Sequence, residues 1–246
     1  MLDLGSNGMA KTLNGCGWMQ VNLDYYSHAF LEFIPNAPGK ILEIGAAYGV
    51  VTVEAVKLRR PMLVNDLDAG HLKILMSRIP TDLREYVTLI PGYFPDEVPI
   101  EEMSLGAVYA SRVLHFLDGP ALERGVHKLF SALAPGGKAF VTVVTPFNKR
   151  YFPTMMPIYE ERIRKGQVWP GFFTSVKSIV TEEHREFVPD FVHIFTLESI
   201  VPVFVKAGFD IEKADYIARP EFSPEYQLDG REDIGLICRK PAVERW

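Results

Sequence analysis

From residue 40 onward, short apolar runs alternate with longer stretches in which apolar residues recur every three or four positions. KILEIG (40–45), PMLVND (61–66), YVTLIPG (86–92), SLGAVYAS (104–111) and KAFVTVV (138–144) have the length and apolar content of buried strands. Tyr48 to Arg59, Ala69 to Arg78 and Ala121 to Leu133 read as helices, the last ending in the turn Pro135-Gly136-Gly137. Strands alternating with helices predict βαβ units and a parallel sheet covered on both faces. The right-handed crossover rule leaves few topologies for such a chain. A further helix, Leu197 to Ala207, closes at Gly208 and is followed by FDIEKADYIA (209–218) and DIGLICR (233–239). The segment 219–230 between these last strands is too short for a full helix, which predicts an antiparallel pair. The fold class expected is therefore α/β, a doubly wound, mostly parallel seven-stranded sheet with helices on both faces and the last strand antiparallel.

Two segments depart from this rhythm. Residues 1–19 are rich in Gly, Asn and small residues and read as loop or a poorly ordered arm. Asp24 to Phe33 then places Tyr26, Phe30 and Phe33 at helical spacing, and Pro35 and Pro38 stop the helix. Residues 146–190 are rich in Pro, Met and aromatics, and a long segment inserted after a strand is often functional. The chain is read as one domain, 1–246, with an N-terminal arm and helix (1–36) and an inserted cap (146–190).

The strongest local constellation is Glu43-Ile44-Gly45-Ala46-Ala47-Tyr48-Gly49, where the first of these strands meets a helix. Glycines there permit close approaches that a side chain would block. Asp66 closes the next strand, where a carboxylate can accept hydrogen bonds from both hydroxyls of an adenosine ribose. The spacing G-A-A-Y-G is not the G-x-G-x-x-G of a dinucleotide site. Glu43 adds negative charge near the turn, which suits a cationic ligand better than a pyrophosphate.

Composition narrows the picture modestly. The 246 residues are 48% hydrophobic and 23% charged, an ordinary globular balance, with a formal charge of −5 that argues against a nucleic-acid backbone as partner. No stretch approaches the ~18 apolar residues needed to span a membrane, and the first residues do not read as a signal peptide. Cys16 and Cys238 have no metal-ligand spacing and read as thiols in a reducing cytoplasm, so a cytoplasmic protein without a metal is expected.

Taken in order, these motifs resemble the class I S-adenosylmethionine-dependent methyltransferase family. E-I-G-A-A-Y-G is similar to its first motif, with Ala47 in place of the middle glycine, and Asp66 to the acid of its second. GAVYASRVLHFL resembles its fourth strand and following turn, L-A-P-G-G-K the turn before its fifth strand, and FTLESIVPVFVKAGFDIEKADYI its last helix and sixth strand. The resemblance runs from about residue 39 to 240. It implies a Rossmann-like fold, S-adenosyl-L-methionine as cofactor, and a cofactor set of Glu43, Gly45, Ala46, Ala47, Tyr48, Gly49, Asp66, Leu67, Tyr93, Ser111, Arg112 and His115. Where the family often has an acid after strand three, Tyr93 and Phe94 follow Gly92; either Asp96 substitutes or an aromatic ring covers the adenine.

The resemblance implies methyl transfer to an O or N atom, with a small organic acceptor as first choice. His115 is the candidate catalytic residue, with packing or cofactor contact as the competing role. His28 and His184 read as surface residues and His193 as structural. Tyr151, Phe152, Met155, Met156, Tyr159, Trp169, Phe172 and Phe173 would line an acceptor pocket or form a satellite core. Arg162, Arg164, Lys165 and Lys177 would attract an acidic substrate or form a solvated face. The ASRVLHF end of strand four lacks the D/N-P-P-Y/F type of base-amino methylation, and neither cysteine suits attack on a cytosine carbon. A methyltransferase acting on protein or RNA, a nicotinamide-dependent oxidoreductase lacking its Tyr-x-x-x-Lys pair, and a non-catalytic cofactor-binding member are the alternatives.

Overall fold

The computed structural model describes residues 9–15, 17–149, 151–178 and 190–242; Cys16 and His184 lie outside the described residues. Seven strands form one sheet: β3 (Lys40–Ile44), β4 (Met62–Asp66), β5 (Val87–Pro91), β6 (Leu105–Ser111), β7 (Leu133–Val144), β10 (Asp210–Ile217) and β11 (Asp233–Arg239). Their order is β10-β11-β7-β6-β3-β4-β5. Within it β5, β4, β3, β6 and β7 run parallel, and β11 lies antiparallel to both β7 and β10. The doubly wound α/β class expected from the sequence is the one observed.

Alternation along the strands sends side chains to two separate cores. On one face Ile41, Val64, Tyr109 and Phe140 meet Tyr26, Phe30 and Ile34 from α1 (Tyr25–Phe33) and its 3-10 extension, Val51 from α2 (Val50–Ala55), and Leu72 and Leu75 from α3 (Ala69–Arg78). On the other, Leu42, Val108, Val141 and Leu236 meet Leu122, Val126 and Leu129 from α4 (Gly119–Ala132) and Ile200 and Phe204 from α6 (Leu197–Ala207). Both helix layers are capped: Asp24, Asp68 and Asp118 accept backbone N–H bonds at the starts of α1, α3 and α4, and Gly208, the stop expected from the sequence, closes α6 at φ 108°.

Three elements differ from the sequence expectation. The helix predicted over 48–59 is shortened at both ends, because Gly49 is left-handed (φ 70°) and residues 56–58 tighten into a 3-10 turn ending at left-handed Arg59. Pro135-Gly136-Gly137 is a bulge inside β7 instead of a turn before it. The register jumps from Leu105 opposite Leu133 to Ala107 opposite Lys138, while Gly136 N–H donates to Lys240 O and Lys240 N–H to Gly137 O, both at 2.9 Å. Residues 10–19 are not a featureless arm: β1 (Ala10–Lys11) and β2 (Trp18–Met19) pair as a hairpin.

The insertion after β7 folds as α5 (Phe152–Arg164) and a short antiparallel pair, β8 (Phe172–Thr174) with β9 (Phe191–His193). Its own small core holds Met155, Tyr159, Phe173, Val176 and Ile194. Trp169 docks the unit on the main domain, its indole lying where a side chain on Gly119 would stand. No helix among the described residues is long and apolar enough to cross a membrane.

Gly235 on β11 seats α1. A Cβ there would run into the Tyr26 ring, and Tyr26 is fully buried. Gly235→Ala should lower stability by about 1–3 kcal/mol through overpacking, read as a lower urea midpoint with an unchanged slope; an unchanged midpoint would mean that α1 is not held by this slot.

Candidate functional site

The C-terminal ends of β3, β4 and β6 open on one cavity of about 470 Å³, the position where open α/β sheets bind ligands. The turn after β3 sets its first wall. Gly45 takes φ 67°, and a Cβ there would run into Val113; one on Gly49 would run into Leu75. Ala47 is also left-handed, φ 46°, a strained setting for a residue with a side chain. That conformation points the Ala47 N–H at Asp66 Oδ2, 2.8 Å away.

Asp66 is buried, and its other oxygen accepts from Asp68 N–H and pairs with His71 Nδ1, both at 2.9 Å. An ionised carboxylate has about four acceptor sites. Three are taken by the protein, two of them on Oδ1, which leaves Oδ2 as the oxygen with an open acceptor site. Glu43 lies deeper, bonded by the Thr52 hydroxyl. Burial pushes its carboxyl up to about 7, with the nearby Asp66 adding to the rise and the Thr52 bond opposing it.

The end of β6 supplies the second wall. Arg112 is left-handed at φ 52° and donates through one guanidinium nitrogen to both oxygens of Asp233, at 2.5 and 2.6 Å. Asp233 is completely buried and also takes Arg219 Nε–H at 2.7 Å, while Arg219 Nη1–H reaches Asp24 Oδ2 at 2.9 Å. One buried carboxylate thus ties β6, β11 and the N-cap of α1 together. Ser111 bonds Thr142 across to β7.

His115 is buried on the cavity wall and makes no hydrogen bond through Nδ1. Burial first, then the Arg112 charge and His193, hold its pKa well below the usual histidine value, so the ring is neutral. A buried N–H without a partner costs more than an unpaired acceptor, which favours the tautomer with the proton on Nε2. His193, by contrast, sits as a structural residue: it bonds Leu117 O at 3.1 Å, packs tilted against the Phe195 ring, and burial pushes it down to about 4. His28 is exposed.

The inserted unit forms the far wall. Of its aromatic and Met residues, Tyr151 and Met155 line the cavity, joined by Val176, Phe191, Val192 and Ile194. Met155, Val176 and Ile194 also belong to the satellite core, with Tyr159 and Phe173 inside it and away from the cavity, so both sequence readings apply and they overlap at Met155. The basic run does not face the cavity. Arg162 bonds Pro170 O and Phe172 O, and Arg164, Lys165 and Lys177 are ion-paired with Glu161, Glu161 and Asp190.

Ten of the residues predicted for the cofactor line this cavity: Glu43, Gly45, Ala46, Ala47, Asp66, Leu67, Tyr93, Ser111, Arg112 and His115. Tyr48 and Gly49 do not. Tyr48 turns its hydroxyl to Lys11 O at 2.8 Å and its N–H to Met19 Sδ, while Gly49 packs under Leu75. Asp96 is half-exposed and paired with Arg124 at 2.9 Å, outside the cavity; Tyr93 and Phe94 line it. Sequence reasoning missed His71, the hairpin residues such as Trp18, and Glu232 and Asp233. Only His71 carried a signal, five positions after Asp66 on the first turn of α3.

No protein-family model and no curated protein matches the sequence. Solved structures do match in fold. An S-adenosylmethionine-dependent methyltransferase from Mesorhizobium loti is 17% identical, with 86% of this chain and 96% of that chain covered at a TM-score of 0.60. One from Methanosarcina mazei is 14% identical over 90% and 100% of the two chains, TM-score 0.63. The Burkholderia thailandensis 1,6-didemethyltoxoflavin-N1-methyltransferase, solved with that compound and S-adenosylhomocysteine, is 14% identical over 88% and 76%, TM-score 0.58. The chain has the class I methyltransferase fold.

Glu43 makes a pH prediction. Its folded pKa of about 7 lies above its ordinary 4.5, so the native state holds the proton more tightly and stability falls as pH rises through that window. Relative to wild type, Glu43→Gln should gain stability from about pH 5 to 8, by at most about 3 kcal/mol. Urea unfolding at both pH values tests this, and a difference independent of pH would contradict it.

Proposed function

We propose that this chain is an S-adenosylmethionine-dependent methyltransferase that methylates an O or N atom of a small, largely apolar acceptor. The observation that carries this reading is one continuous cavity, running from the Gly45 turn and Asp66 to the apolar wall of the insertion. Its charge supports a cationic ligand. Glu43, Asp66, Glu232 and Asp233 line it with Arg112, and Arg112 is already paired with Asp233. A pyrophosphate would meet carboxylates without a free cation among these residues, which weighs against a nicotinamide dinucleotide.

When bound, S-adenosylmethionine supplies a methyl carbon whose bond to sulfur breaks, sulfur keeping the pair, as the acceptor heteroatom bonds to it. The chain's part is binding and orientation. Asp66 offers its remaining lone pair to a ribose hydroxyl, Glu43 lies behind the turn as a carboxyl for the cationic end, and Tyr93 and Phe94 close over the adenine. His115 touches the acceptor. A ring held neutral so far below pH 7 is a weak base, so its role is to donate a hydrogen bond from Nε2 and hold the acceptor. That suits an ionised oxygen, which keeps a lone pair for attack while accepting the bond; an amine nitrogen has one lone pair, so an amine acceptor would take the bond at another of its atoms. An amine would release its extra proton to solvent after transfer. The walls contributed by α5, β9 and the hairpin favour a small molecule over a protein or RNA acceptor.

Isothermal titration should give ~micromolar binding of S-adenosylhomocysteine and none of NADH. Binding of NADH alone would overturn the reading, and binding of neither would favour a non-catalytic member of the fold. Asp66→Ala should weaken S-adenosylhomocysteine by ~tenfold or more, the value of a hydrogen bond to a charged group; unchanged affinity would remove Asp66 from the site. His115→Phe should leave that affinity within about threefold of wild type, while lowering turnover of any acceptor found by screening phenols and aromatic amines.

A further inference from the structure

His71 is 2% exposed and bonded at both ring nitrogens. Nδ1 lies 2.9 Å from Asp66 Oδ1, and Nε2 lies 3.0 Å from the backbone N of Leu13. A backbone N–H can only donate and an ionised carboxylate can only accept. The tautomer is therefore fixed: Nδ1–H donates to Asp66, and the Nε2 lone pair accepts Leu13 N–H. One ring bridges the ligand-facing acid and the turn of the N-terminal hairpin.

That hairpin has strands of two residues each, too little to hold its place unaided. Among the described residues its attachments include Leu13 to His71, Lys11 O to the Tyr48 hydroxyl and Met19 Sδ to the Tyr48 N–H, with Tyr48 packed edge-on against the His71 ring at 5.2 Å. Met9, Thr12, Asn14, Gly17, Trp18 and Met19 form part of the cavity wall. Lifting the hairpin would open the cavity and strip His71 of the bond that fixes its tautomer.

We propose that His71 is a positioning residue that makes closure of the hairpin and orientation of Asp66 one coupled event. It sets which lone pair of Asp66 is left for the ligand, and it does so in the closed form of the hairpin. The ligand is S-adenosylmethionine on the reading given above; the latch itself does not depend on that reading.

Two conservative substitutions separate the two bonds. In His71→Asn the amide can replace Nδ1–H toward Asp66 but is too short for Leu13; in His71→Gln the amide oxygen can replace Nε2 toward Leu13 but not the bond to Asp66. Amide hydrogen exchange of residues 9–19 is measured in wild type and both variants, with and without S-adenosylhomocysteine. Without ligand, exchange should be ~tenfold faster in His71→Asn and near wild type in His71→Gln. With ligand, wild type should gain protection across the hairpin. His71→Asn should bind within a few-fold of wild type yet lose that protection. His71→Gln should keep the hairpin protected and bind ~tenfold more weakly. Equal hairpin exchange in all three proteins, or identical losses in both variants, would overturn the proposal. If wild type binds no S-adenosylhomocysteine, the functional reading fails, and ligand-free exchange still decides whether the latch exists.

Discussion

A carboxylate taken out of water must recover from the protein the hydrogen bonds it gave up, or its charge is not tolerated. Asp66 on β4 and Asp233 on β11 both obey this constraint beside the cavity, and most of the local architecture follows from it. Asp66 recruits the Ala47 N–H, which requires the left-handed backbone of the glycine turn, and His71, which recruits the hairpin. Asp233 recruits Arg112 and Arg219, and Arg219 recruits Asp24. Removing one partner of such a buried set leaves an uncompensated charge, a loss of about 3–5 kcal/mol in comparable cases. The cavity is therefore framed by two satisfied acids, with the strained residues Ala47 and Arg112 serving them.

Much of the remaining wall is apolar, which matters for chemistry as much as for shape. Burial raises Glu43 and lowers His115, so both groups are biased toward their uncharged forms. A cationic ligand beside Glu43 would favour its ionised form and draw the proton off, so ligand binding and proton release are linked there. Among the described residues no carboxylate raises the basicity of His115, unlike the imidazole of a catalytic triad. On the proposed function, such a site would bind and align more than move protons.

The fold was legible because its signals are local and repeated. β-rich runs at 40–45, 61–66 and 104–111, and helices at 69–78 and 197–207, appear where hydrophobic periodicity places them, since burial on both sheet faces dictates those patterns. Misses occurred where tertiary bonds overrode local preference. Pro135-Gly136-Gly137 reads as a turn until β11 lies beside it. The peptide groups of Gly136 and Gly137 then bond Lys240, the residue after β11, and so extend the ladder across the bulge. The hairpin at 10–19 has no hydrophobic alternation to announce it, because Tyr48 and His71 hold it.

By itself the sequence determined the α/β class, the position of the glycine turn after β3 and the acid that closes β4, because glycine and aspartate at a strand end mark such turns. It did not decide what Asp66 bonds, since three of its roughly four acceptor sites are filled by Ala47, Asp68 and His71. Nor did it tell which residues of the insertion reach the cavity (Tyr151, Met155) and which stay wholly within its satellite core (Tyr159, Phe173), because both share one aromatic-rich pattern. Those assignments depend on which groups meet across the fold. Distance along the chain carries no record of that, and only tertiary packing fixes it.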